Sequence, residues 1–323
     1  MNKDFVLSID VGGTNTAFGL VDKTGYCIAK DSLQTNSGKT AEELFTHLFM
    51  QFSNTLKEFK KDHHLVGVGI GAPNANYYTG EVKAPPNLTW HDVNLVQLLF
   101  QFVDVPVVIT NDANAAALGE MHFGAAKNMK HFIEITLGTG LGSGIVVDGK
   151  VVYGQDGFAG ELGHVTAIFD GRICGCGRKG CLEAYASATG IVKTAVEMMD
   201  TTNRNSELLH VDRDKLESRD VFVAAQNGDQ LALDIFEKTG EILGRTLANS
   251  VVHTSPEAFI FFGGMAQAGD LILDPVRRHL EKNVMKVFKG KTKVLPSGLP
   301  GTDAAILGAA ALIWEELEIR GKD

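Results

Sequence analysis

Residues 5–16 read Phe5-Val6-Leu7-Ser8-Ile9-Asp10-Val11-Gly12-Gly13-Thr14-Asn15-Thr16, and residues 132–144 repeat the plan as Phe132-Ile133-Glu134-Ile135-Thr136-Leu137-Gly138-Thr139-Gly140-Leu141-Gly142-Ser143-Gly144. In both, an apolar run of strand length gives way to a turn of glycines and hydroxyl residues. A hairpin follows each time. Ala17 to Val21 and Tyr26 to Lys30 flank Asp22-Lys23-Thr24-Gly25, and 145–147 and 151–153 flank Asp148-Gly149. A plan of strand, glycine loop and hairpin that occurs twice predicts an α/β chain in two halves.

Working outward, Ala41 to His64 predicts an amphipathic helix with Leu44, Phe45, Leu48, Phe49, Phe52, Leu56 and Phe59 on one stripe. Residues 65–72 predict a strand carrying glycines, and 74–92 a polar, aromatic loop with a small hairpin at Thr79-Gly80. A short helix over 94–102, a buried strand over 105–110 and an alanine-rich helix from Asn111 follow. Later helices are expected over 183–199, 230–253 and 302–318, with a strand over 259–262. No low-complexity linker separates the halves.

The 323 residues are 44% hydrophobic, enough to bury a large core, and 21% charged with a net charge of −9. That balance argues against a nucleic-acid partner. No apolar run reaches the roughly 18–20 residues of a membrane helix. The start, residues 1–10, is too short and too acidic for a signal peptide. A soluble cytoplasmic protein is expected.

The two loops have phosphate-binding character. Gly12 and Gly13 lack side chains, so a phosphate can approach their N–H groups; Thr14 and Thr16 add hydroxyls, and Asn15 lies between them. Asp10 at the strand end is placed to hold Mg²⁺ through water. No P-loop lysine is present. A single such loop reads equally well as an ordinary glycine turn, but Gly138-Thr139-Gly140 supplies a second, and two can clamp a polyphosphate.

Three of the four cysteines, Cys174, Cys176 and Cys181, fall within eight positions, with His164 upstream. Three thiolates and an imidazole satisfy tetrahedral Zn²⁺, and a site filled by four protein ligands is structural rather than hydrolytic. Reduced core cysteines are the alternative; a disulfide suits this composition less well. Asp112 follows a predicted strand and opens a helix, a position that fits either a ligand-facing carboxylate or a helix cap. Glu161 and His164, three apart, would share one face of a helical turn.

Asp10-Val11-Gly12-Gly13-Thr14, Leu137-Gly138-Thr139-Gly140 and the His164, Cys174, Cys176, Cys181 cluster together resemble the ROK family of sugar kinases and sugar-responsive repressors. The resemblance runs from Asp10 to the Asp303–Ala310 segment. It implies two ribonuclease-H-like domains of the actin and hexokinase superfamily closing on a central cleft, divided as residues 1–112 with 305–323 and residues 113–304. It implies an ATP-dependent hexokinase acting on the 6-hydroxyl of glucose or a related hexose, with Mg²⁺, structural Zn²⁺ and a homodimeric assembly. Asp112 would be the general base. Asn111, Glu161, His164 and Glu183 would hold the sugar, and Gly263, Gly264 and Met265 the adenosine. Asn74 stands where many relatives have glycine, and its amide could meet a sugar hydroxyl. Family repressors carry a helix-turn-helix segment ahead of the first loop; here that loop begins at Asp10, which favours the enzyme.

Overall fold

The computed structural model describes residues 4–35, 40–59, 63–85, 88, 90, 92–299, 301 and 303–321. In chain order its elements are β1 (Asp4–Val11), β2 (Asn15–Asp22), β3 (Cys27–Gln34), α1 (Ala41–Phe59), β4 (His64–Gly71), β5 (Glu81–Val82), β6 (Val93–Asn94), α2 (Leu95–Leu99), β7 (Val107–Thr110) and α3 (Asp112–Phe123). Then come β8 (Phe132–Leu137), β9 (Leu141–Val147), β10 (Lys150–Val151), α4 (Glu183–Ala186), α5 (Ala188–Thr201), α6 (Ser218–Gln226), α7 (Gln230–Thr254), β11 (Ala258–Phe262), α8 (Asp270–Asn283), β12 (Lys293–Pro296) and α9 (Ala304–Arg320). None of the described helices is long and apolar enough to cross a membrane.

The chain forms two compact units, the first from residues 1–128, 151–160 and 298–323, the second from 129–150 and 161–297. Among the described residues each contains a five-stranded sheet, in the order β3-β2-β1-β4-β7 and β10-β9-β8-β11-β12. The two follow one plan. The first strand pairs antiparallel with the next and parallel with a later one, and a further parallel strand completes the edge. The duplication read from the glycine loops is therefore a duplication of sheet topology.

In the first unit, α1 covers one face of the sheet with Leu44, Phe45, Leu48 and Phe52 in a core shared with Phe5, Leu7, Phe18 and Leu20. α9 lies on the other face. Gly69 lets it do so, because a Cβ there would collide with the carbonyl oxygen of Ala309. The Ser8 hydroxyl donates to the Ile306 carbonyl and fixes the helix to β1. In the second unit, Ile133, Ile135, Phe259 and Phe261 of the sheet pack with Ile235, Leu243 and Leu247 of α7.

Several expectations shift. The first long helix stops at Phe59 and His64 opens β4, opposite Asp4; residues 60–62 and the Phe59 side chain lie outside the described residues, as do residues 86, 87, 89 and 91 of the expected aromatic loop and Thr302 of the last helix. The apolar, β-branched run after His64 pairs with β1, which sets where β4 begins. The small hairpin appears as an antiparallel bridge between Ala75 and Val82 around Thr79-Gly80. The helix expected over 183–199 is two helices, broken at Ser187, whose backbone is extended and whose Oγ accepts from Gly190 N at 3.0 Å. The expected division placed α3 and residues 151–160 with the second part. Both cluster with the first unit instead, α3 because its buried Ala113–Glu120 run packs along α9.

Candidate active site

In the first unit, parallel pairing sets Asp10 opposite Gly71, and Gly71 opposite Thr110. The segments that follow these three strands therefore emerge at the same end of the sheet, where α/β folds bind ligands. The loop after β1 is tightly closed: Gly12 N donates to Asn15 O at 3.0 Å and Thr35 N to Thr14 O at 2.8 Å. Gly13, Thr14 and Asn15 are exposed. Thr16 departs from expectation. It is fully buried, and because the Thr35 hydroxyl donates to Gly12 O at 2.7 Å, Thr16 Oγ1 donates to Thr35 Oγ1 at 2.9 Å. Strand alternation turns Thr16 inward, so it braces the loop rather than offering a hydroxyl to a phosphate.

Asn111 caps α3, its Oδ1 accepting from Ala113 N at 2.9 Å. The capping role left open for Asp112 thus falls mainly to its neighbour. Asp112 Oδ1 accepts from the same N–H at 2.9 Å. That leaves Asp112 Oδ2 and Asn111 Nδ2 for other partners. Asp112 is exposed on one side, yet protein mass around it desolvates the carboxylate enough to raise its pKa against the opposing backbone N–H groups. Asp10 is pushed up to about 7 by burial and then by the charge of Asp112. Two carboxylates in this relation call for a proton or a cation.

Asn74 adopts φ +53°, a left-handed conformation that asparagine tolerates better than most residues. Its Nδ2 donates to Lys83 O and Ala84 O, both at 3.1 Å. The amide hydrogens are engaged in closing the loop, so a sugar hydroxyl could meet only Oδ1.

In the second unit, Gly138-Thr139-Gly140 closes β8 onto β9, with Gly138 N donating to Gly140 O at 3.0 Å. The break at Ser187 explains itself here. Ala188 N, at the start of α5, donates to Gly138 O at 2.9 Å, and Thr189 Oγ1 to Thr139 O at 3.2 Å. The amino end of α5 therefore sits on the glycine loop, a setting that favours anions. Phe262 pairs with Thr136, which brings Gly263-Gly264-Met265 beside the same loop. A Cβ at Gly138 or Gly264 would meet no protein atom within 4 Å. The fold leaves both backbones open to an approaching ligand. Gly264 and Met265 border a cavity of about 390 Å³ that Ser218, Arg219, Phe222 and Phe236 also line. Sequence reasoning missed the α6 residues of this cavity. The signal available was the Glu217–Asp220 capping box that opens α6.

His164, Cys174, Cys176 and Cys181 converge, with ligand atoms all within 4.8 Å of one another. His164 ends a turn of 3-10 helix over Leu162–His164, and its N–H donates to Glu161 O at 3.1 Å. Glu161 thus immediately precedes the turn. Cys174 Sγ lies 3.7 Å from His164 Nδ1, and Cys176 Sγ 3.7 Å from Cys181 Sγ. Sulfurs at about 2.3 Å from a tetrahedral ion would be about 3.8 Å apart, so the four residues fit Zn²⁺. Burial pushes the Cys174 thiol up to about 12 and raises Cys181, whereas the Arg178 N–H lowers Cys176. A bound cation would have to displace the protons that burial holds on. Glu183 touches both features of this unit: Oε1 accepts from Cys174 Sγ at 3.4 Å and Oε2 from Leu141 N at 3.0 Å.

Residues 6–316 match the sequence profile of the ROK family. The chain is similar to a glucokinase of Halalkalibacterium halodurans, 35% identical over 98% of this chain and 97% of that protein. It is also similar to a Streptomyces griseus ROK glucokinase solved with glucose and AMPPNP, at 35% identity and TM-score 0.79 over 95% of this chain and 98% of that one. A xylose repressor of Bacillus spizizenii is 29% identical over 96% of this chain but only 77% of its own length. The repeated sheet, the paired glycine loops, the Cys/His cluster and a profile spanning nearly the whole sequence agree: the chain belongs to the ROK family.

Proposed function

We propose that this protein is an ATP-dependent hexokinase that phosphorylates the 6-hydroxyl of glucose. The observation that carries the reading is Asp112, a raised carboxylate with one oxygen fixed by Ala113 N, beside Asp10 at the strand ends. Two glucokinases that match nearly end to end, one of them solved with glucose and AMPPNP, supply the substrate class.

Asp112 Oδ2 takes the proton of the 6-hydroxyl, and its raised pKa makes it a stronger base than an ordinary carboxylate. Asn111 Nδ2 donates to a neighbouring sugar hydroxyl. Glu161, His164 through Nε2, and Glu183 complete the sugar's polar contacts. Gly12 to Asn15 and Gly138 to Gly140 orient the ATP phosphates, and phosphoryl transfer depends chiefly on such positioning and charge stabilisation. The adenosine lies along Gly263, Gly264 and Met265, with its base toward the cavity beneath α6. Mg²⁺, when bound, supplies positive charge to the transferring phosphoryl group, and Asp10 is the carboxylate placed to hold it. Zn²⁺, held by His164, Cys174, Cys176 and Cys181, supplies structural constraint on the Glu161–His164 turn. The reading extends, on family resemblance, to a cytoplasmic homodimer, which light scattering tests for assembly.

The deciding experiment is ADP release with Mg-ATP against glucose, mannose, fructose, N-acetylglucosamine and N-acetylmannosamine. Highest kcat/KM on glucose is expected. Preference for another sugar would overturn the substrate and keep the chemistry. Turnover of none, with folded and zinc-loaded protein, would overturn the kinase reading in favour of a sugar-responsive regulator.

A further inference from the structure

Residues 151–160 leave β10, pack with the first unit, and run directly into Glu161. The packing is specific. Tyr153 stacks on Tyr77, ring centroids 4.3 Å apart and planes within 4°. Tyr77 in turn donates to Glu316 Oε2 of α9 at 2.9 Å, and the Tyr78 hydroxyl donates to Gly154 O at 2.9 Å.

Asn76 ties this strap to the loop after β4. It is 4% exposed. Its Oδ1 accepts from Tyr78 N at 2.9 Å and Thr79 N at 3.1 Å, closing a turn, while Nδ2 donates to Asp156 O at 2.6 Å. The strap comes so near that a Cβ on Gly157, at φ +85°, would lie 2.6 Å from Asn76 Nδ2. Ala159 N returns to Tyr153 O at 3.1 Å, so the strap is a closed loop rather than a loose connection. A buried amide left without such partners is costly, so the link resists breaking. None of the roles given above to ATP or hexose contacts uses these residues. Asp156 lies five residues before Glu161 in the chain.

We infer that Asn76, together with Tyr153 stacked on Tyr77, is a positioning residue for the hexose-binding turn Glu161–His164, acting through the strap 151–160. The inference rests on the reading that Glu161 and His164 hold the hexose. Asn76→Asp isolates the link, because it keeps the acceptor for Tyr78 and Thr79 and sets an anion against the Asp156 carbonyl. Tyr153→Ala removes the stack; Tyr153→Phe keeps it and serves as the conservative rescue.

The test is steady-state kinetics of the full chain, varying hexose and ATP separately, with hydrogen exchange over residues 153–164. Asn76→Asp and Tyr153→Ala should raise the hexose KM roughly tenfold or more, as small misplacements of binding groups do, with ATP KM within about twofold. Exchange over 153–164 should speed up in both and stay near wild type in Tyr153→Phe. Hexose KM unchanged in both variants of an active enzyme would overturn this inference alone. Parallel rises in both KM values, or a fall in kcat only, would overturn it too, since that is what a merely structural role gives. A wild-type protein that phosphorylates no hexose would overturn the functional reading, and this inference with it.

Discussion

At the residue scale, the first unit carries two acidic groups that are costly to leave charged. Asp112→Asn keeps the shape and the Ala113 hydrogen bond but removes the proton acceptor, so kcat should fall by about 10²- to 10⁴-fold with the melting temperature not lowered. For the wild type, kcat/KM should rise with pH through an acid limb that lies above the ordinary carboxylate range, and its apparent pKa belongs to the Asp10–Asp112 pair. Asp10 makes a stability prediction. Its pKa moves from 3.8 to about 7 on folding in the absence of a cation. A raised folded pKa favours the folded state below the unfolded value, and that contribution is lost as pH rises through about 7. Asp10→Asn, which does not titrate, should therefore match wild type near about pH 4 and melt higher by roughly 2–5 °C near about pH 8, in buffer free of metal and nucleotide. Equal melting temperatures at both pH values would refute the burial argument.

At the element scale, the glycine loops allow fold and ligand to be separated. Gly138→Ala adds a methyl that meets no protein atom. It should leave the melting temperature within about 1–2 °C of wild type, as surface changes do, while raising the ATP KM roughly tenfold. A lowered melting temperature with unchanged KM would mean the glycine serves the turn alone. These loops were legible in the sequence because each joins an apolar strand to a hairpin, and local pattern decides such a unit. The cysteine cluster was legible because its ligands are nearly contiguous. The break at Ser187 was not, since its cause is a long-range contact, Ala188 N to Gly138 O. Thr16 was misplaced for a similar reason: a hydroxyl in a loop motif looks available until Thr35 is seen to hold it. The Asn74 amide could not be read at all without the backbone at φ +53° and the carbonyls of Lys83 and Ala84.

At the scale of the whole molecule, the proposed zinc site would tie substrate affinity to folding. Chelator treatment should weaken hexose binding and lower the melting temperature together, and Zn²⁺ should restore both; calorimetric titration of glucose and thermal unfolding on the same samples decide it. Loss of one without the other would separate the cluster from the role proposed for the Glu161–His164 turn. The division into units was only partly legible, because the strap 151–160 belongs by sequence to one half and by packing to the other. The chain passes from one unit to the other several times, and α9, one of the last elements in the sequence, covers the sheet whose first strand is β1. That arrangement has a consequence for synthesis. As the polypeptide leaves the ribosome, the sheet of the first unit must wait for its α9 cover until the whole of the second unit has been translated. The second unit has all its described strands and helices available earlier, so it is the one able to mature before α9 is made.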